Sequence, residues 1–124
     1  VLQAASEDSD ANVRQVACEA WGRRGGPEAA ANLARVLASD VDKDVRLTAA
    51  RALGETDDPG AVAALGEVLA ERDPAMQYVA VQSLREVTGE DLGNDVRRWR
   101  EYVQRQTPPA SEPASLAERA TPRF

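Results

Sequence analysis

The chain has 124 residues and a net charge of −6, with 43% hydrophobic residues but only 4% aromatic ones. That length suits one domain, and an apolar set dominated by Ala, Val and Leu suits closely packed helices rather than a β-sandwich. It has no His and one Cys, Cys18. That removes the commonest general base and zinc ligand, every His-dependent nucleophile pair, an internal disulfide and any Cys-cluster metal site.

Residues 1–91 carry 9 basic and 17 acidic side chains, net −8, whereas residues 92–124 carry 6 and 4, net +2. An acidic body repels phosphate backbones and argues against a nucleic-acid partner. No apolar run reaches the ~18 residues of a membrane span. The missing disulfides fit a reducing compartment, and a cytoplasmic location is the expectation. The chain starts at Val1 in what reads as a helix, which suggests a piece of a longer protein cut within an earlier repeat.

In chain order, Val1 to Ser6 reads as the end of a preceding second helix, and Glu7-Asp8-Ser9-Asp10 as a turn. A first hairpin follows, with helix A over roughly 11–23 and helix B over roughly 27–38. Val13, Val16, Ala17, Ala20 and Trp21 fall at helical spacing and are expected to face inward. Gly25-Gly26 stops helix A, and Pro27 suits the first turn of helix B. Ala30, Leu33, Val36 and Leu37 form the inward stripe of helix B.

The same unit returns at a constant shift of 32 residues: Asp10-Ala11-Asn12-Val13-Arg14 becomes Asp42-Lys43-Asp44-Val45-Arg46, Trp21-Gly22 becomes Leu53-Gly54, and Leu37 becomes Leu69. Asp58 is expected to cap the second helix B, with Pro59 as its first residue. A third helix A, about 74–87, follows at a shift of 31 (Val45 to Met76, Leu53 to Leu84). Then the pattern changes. A longer linker, Thr88 to Asn94, leads to a helix from about Asp95 to Gln106, with Val96, Trp99, Tyr102 and Val103 on one face and Arg97, Arg98, Glu101 and Arg105 on the other. A large apolar face opposite a charged one is what a terminal cap requires. Residues 107–124 are rich in Pro, Ala and Ser and read as a flexible tail.

A fixed period near 32 residues marks a stacked solenoid. The expected fold is therefore all-α: an α-α superhelix of about three helical hairpins with a C-terminal capping helix. Residues 1–9 end a preceding repeat, residues 10–106 form the repeat domain, and residues 107–124 are the tail.

The residues carrying the repeat are Asp-x-x-Val-Arg, then Ala-x-x-Ala-Leu-Gly, an Asp-Pro and a Leu-rich second helix, clearest in Arg46 to Gly54 with Asp58-Pro59. This pattern resembles the HEAT-repeat family, in its short bacterial form that includes the phycobilisome-lyase-like repeats, over about residues 10–103. The resemblance implies a right-handed superhelix of antiparallel helix pairs that binds other proteins. It also implies that Arg14 and Arg46, whose position Gln77 occupies in the third copy, pair with acids of neighbouring repeats. The period is shorter than the ~40 residues of longer HEAT units. Ankyrin and tetratricopeptide patterns are not met.

Candidate chemistry is thin. Asp8-Ser9-Asp10-Ala11-Asn12 with Glu19 partly matches a calcium loop, but Val13 stands where Gly is needed and Arg51 stands at the twelfth position of the next copy. N-capping explains the repeated acids better. Asp57-Asp58 and Glu90-Asp91 read as turn residues rather than catalytic pairs. Gly22 to Gly26 lacks the ending and the preceding strand of a phosphate loop. No metal and no cofactor are expected.

The functional expectation is a non-catalytic protein-interaction scaffold that binds another protein or peptide on its concave face, lined by the second helices. The outward positions there are Asn32, Arg35, Ser39, Ala64, Glu67 and Glu71. Arg97 and Arg98 on the last helix, with Arg100 and Arg105, form a basic cluster suited to an acidic partner. The alternative is a bilin-lyase-like HEAT protein, a lyase subunit or an accessory domain of a larger enzyme.

Overall fold

The structure, a computed structural model, describes residues 2–106. Among these are seven helices and no strand: α1 (Leu2–Ser6), α2 (Ala11–Arg24), α3 (Gly26–Ser39), α4 (Lys43–Leu53), α5 (Gly60–Val68), α6 (Pro74–Thr88) and α7 (Val96–Gln106). They pair as hairpins α2–α3, α4–α5 and α6–α7. The first helices form one layer, α2 on α4 on α6, and the second helices form the other, α3 on α5 on α7. The expected tail, residues 107–124, lies outside the described residues.

Each first helix starts in the same way for the same reason. Asp10, Asp42 and Asp73 are extended N-caps whose carboxylates accept backbone N–H groups of Asn12, of Asp44 and Val45, and of Ala75. A carboxylate there satisfies donors that the first turn leaves unpaired and meets the positive end of the helix dipole. Asp73 also accepts a 3.0 Å ion pair from Lys43 of the preceding repeat. That pair holds its carboxyl below the ordinary aspartate range. α5 departs from the expectation of an Asp58 cap with Pro59 as first residue: Pro59 is itself the N-cap, without a side-chain capping bond, and the helix begins at Gly60, whose N–H donates to the Asp58 carboxylate at 2.8 Å.

The turn inside each hairpin requires a left-handed residue. Gly25 supplies it in the first copy at φ 68°, whereas Asp57 supplies it in the second at φ 55°. A β-carbon costs energy there, and Asp is among the few side chains that tolerate it.

The core is one continuous stripe through the stack. Leu33, Leu37, Leu53, Leu65, Leu69, Met76 and Leu84 are all buried at 1% exposure or less. Full burial of such side chains contributes roughly 1.5–3 kcal/mol each. Cys18 is buried within this core, and loss of solvation pushes its thiol up to about 11. It packs as a small hydrophobe.

Successive first helices, α2 on α4 and α4 on α6, approach so closely at one point each that no side chain fits between them. A β-carbon on Gly22 would stand 3.0 Å from Ala52 Cβ, and one on Gly54 would stand 2.8 Å from Ser83 Cα. Ser83 fixes the second approach by donating to Ala50 O at 2.7 Å.

The structure corrects one part of the expected core. Val13 is 36% exposed and Val16 60% exposed, although Val45 and Met76, the counterparts of Val13, are fully buried. Helical periodicity places all of them on the same helix face. Burial depends on whether another hairpin lies against that face, and only the short α1 packs beside α2 on that side.

The last helix completes the third hairpin. Trp99 is fully buried, donates its indole N–H to Gly93 O at 2.9 Å and meets Tyr102 edge-on at 5.7 Å. Val103 settles on Gly66, where a β-carbon would come within 3.1 Å of Val103 Cβ. α7 therefore packs chiefly along α5 as the second helix of the third hairpin. It does not cover the outer side of α6, where Tyr78 remains 61% exposed.

Candidate functional site

The second helices carry small residues where side chains leave the core stripe. Ala34 and Ala38 on α3 face Gly60, Ala63 and Ala64 on α5, and between them runs a groove of about 410 Å³. Leu37 and Val68 form its floor, and Glu67 and Glu71 stand at its edge. The groove follows from sequence. An i, i+4 pair of alanines on α3 lies against Gly60, Ala63 and Ala64 on α5, so the backbones show through.

The expected partner-binding residues divide on inspection. Ala64, Glu67 and Glu71 line the groove, but Asn32, Arg35 and Ser39 do not. Glu67 is exposed, and its carboxylate makes no hydrogen bond or ion pair among the described residues. Glu71 is not available in the same way. Its carboxylate takes both Nη atoms of Arg46, at 3.2 and 2.5 Å, so it clamps its own hairpin.

Asn32 does not take the outward position expected of it. It is only 5% exposed; its amide donates to Glu28 O at 2.9 Å and its oxygen accepts from Arg35 at 2.7 Å. One residue ahead of Leu33, it sits at the flank of the buried stripe rather than opposite it, and a buried amide must find partners in its own helix. Arg35 is exposed, with Glu7 4.0 Å away. Ser39 is exposed and returns its hydroxyl to Arg35 O at 2.7 Å. Arg97 and Arg98 are exposed on α7, their backbone N–H groups capped by Asp95. They lie outside the groove lining, as does the rest of that basic cluster.

The repeated arginine acts as a brace. Arg14 binds Asp40 through two bonds of 2.8 and 3.1 Å and also reaches the carbonyls of Asp8 and Ser9. The ion pair holds its guanidinium above the usual range. Arg46 pairs with Glu71 and takes Leu37 O at 2.6 Å. The acid in each pair thus closes the arginine's own hairpin, not a neighbouring one, and the preceding segment contributes only carbonyl groups. Gln77 keeps the carbonyl bonds, to Leu69 and Glu71, without an acid partner. Bidentate pairing fixes geometry, which is why Arg serves and Lys would not.

The remaining polar groups are likewise occupied by structure. The acids of the partial calcium match cap helices: Asp10 at α2 and Asp42 at α4, with Asp8 accepting from Asp10 N at 2.8 Å. No group of three His, Cys, Asp or Glu side chains among the described residues is placed to hold a metal ion. No described helix is long and apolar enough to cross a membrane. Glu55 and Glu86 form a like-charged pair over the glycine contacts; burial, and then Glu55, raises the Glu86 carboxyl above its ordinary value.

A two-layer stack of capped helical hairpins with an open groove between second helices defines an α-solenoid. The chain belongs to the HEAT-repeat family: the family's sequence model, described as HEAT repeats, matches residues 1–99. A comparison with curated proteins gives no significant match.

Proposed function

We propose that this domain is a non-catalytic interaction scaffold that takes a helix or peptide segment of a partner protein in the groove between α3 and α5. The observation that carries this reading is the open groove of about 410 Å³ floored by Leu37 and Val68 and flanked by five small residues. Small walls let a partner backbone approach closely, and an apolar floor rewards a buried side chain. Glu67, unpaired at the edge, favours a Lys or Arg on that segment, and the acidic body steers it.

Selection of helical peptides from a displayed library against the chain tests this. Binders should be enriched in a basic residue next to an aliphatic anchor. They should lose at least about tenfold in affinity, or 1.4 kcal/mol, on Ala63→Arg. Binders indifferent to Ala63→Arg and Ala38→Arg, in variants that keep the parent's helicity, would place the interface elsewhere.

A further inference from the structure

The groove between α3 and α5 opens beside the last described residue. Gln106, at the end of α7, lines a cleft of about 370 Å³ together with Pro59 and Val62. Gly60, the residue after Pro59, already belongs to the groove. Residues 107–124 therefore leave the stack at the Gly60 end of the groove, with only α5 to cross.

Those residues contain what the groove would select. Ser115-Leu116-Ala117-Glu118 has the spacing of a capping box, and Pro122 ends the run that follows it. As a helix, residues 116–121 would make about one and a half turns. A helix so short does not persist alone in water and needs a surface to form on. Leu116, Arg119 and Ala120 would then share one face, at i, i+3 and i+4. An aliphatic side chain meets the floor of Leu37 and Val68, a small one meets the alanine walls, and a guanidinium meets the carboxylate of Glu67. Glu71, the other acid of the groove, is already taken by Arg46.

The length suffices. Neighbouring helices lie about 10 Å apart, and the groove runs about 10 Å along α5 from Gly60 to Glu67. Residues 107–114, which include Pro108, Pro109 and Pro113, span about 25 Å as an extended or polyproline chain.

We propose that residues 115–121 of the chain occupy the α3–α5 groove in cis, with Leu116 as anchor and Arg119 paired to Glu67, so that a partner must displace them. This occupancy rests on the groove being the partner site. Tethering makes a weak contact effective: at an effective concentration of about 1 mM, a segment with a Kd of about 0.1 mM fills the groove about nine-tenths of the time and weakens a competitor about tenfold.

Leu116→Asp in the full chain should free the groove while the stack keeps its cooperative melt. A synthetic peptide of residues 112–122 should bind that variant with a Kd of about 0.1 mM and the parent about tenfold more weakly. Adding Ala63→Arg to the variant should abolish the binding. Adding Glu67→Arg should weaken it, and the same peptide with Arg119→Glu should recover it. A peptide that binds both chains equally, or neither, overturns the proposal. So does a difference between the chains that grows with protein concentration, because the segment would then lie in the groove of a second copy. Library-selected helical peptides that need Ala63 but bind both chains equally leave the groove reading standing and remove residues 115–121 as its occupant. Peptides indifferent to Ala63→Arg in both chains remove the groove reading itself and this occupancy with it.

Discussion

Gly54→Ala opposes two effects of known size, and the structure decides between them. Gly54 has φ −65° and ψ −19°, an ordinary right-handed conformation. Alanine fits that backbone, and by restricting the unfolded chain it would stabilise the protein by about 0.4–1 kcal/mol. Against this, the new methyl group would stand 2.6 Å from Glu86 Oε1, 2.8 Å from Ser83 Cα and 2.9 Å from Ser83 Cβ. The Glu86 carboxylate ends a flexible side chain and can swing aside. Ser83 Cα belongs to the α6 backbone, and it can move only if α6 moves. Ser83 also donates to Ala50 O at 2.7 Å, a buried bond that such a shift would stretch. Overpacking of this kind costs typically about 1–3 kcal/mol. The net expectation is a loss of about 1–1.5 kcal/mol at unchanged urea m-value, read from equilibrium urea denaturation. Hydrogen exchange should show weaker protection along α6 before α2. A Gly54→Ala chain as stable as the parent, or more stable, would refute the reasoning that backbone contact between first helices sets the repeat spacing.

Trp99→Ala removes a fully buried indole and its 2.9 Å bond to Gly93 O, and should cost about 3–5 kcal/mol, seen first as opening of α7 in hydrogen exchange. Asp57→Gly relieves a side chain held at φ 55° and should raise stability by about 0.5–1 kcal/mol in thermal melts, less any contribution from the lost carboxylate. Glu86→Gln should stabilise the chain by a few tenths of a kcal/mol at neutral pH. Because the folded-state value of Glu86 is raised, its contribution to stability is present below the ordinary glutamate range and is lost as pH rises through the raised value. The advantage of Gln should therefore shrink as the pH is lowered through that value, and a gain independent of pH would assign the effect to packing instead.

The sequence by itself determined the hairpins and their order. Capping acids, turn glycines and a 3.6-residue apolar period act within one helix or across one turn, so α2, α3, α6 and α7 fall within one or two residues of their expected spans. Repetition added the stack, because a surface written three times must meet itself. The acid that each arginine would choose, the fate of Asn32 and the closing of Glu71 onto Arg46 were decided only in three dimensions, since each depends on which group lies within hydrogen-bond reach across a hairpin. The exposure of Val13 and Val16 belongs to the same class. A residue's period states which way it points, but burial requires a second surface, and the sequence of α2 is as apolar at these positions as that of its covered counterparts. The groove lies between these extremes: alanines on α3 and α5 were visible one helix at a time, and only the packing of α3 on α5 turned them into two walls of a single channel.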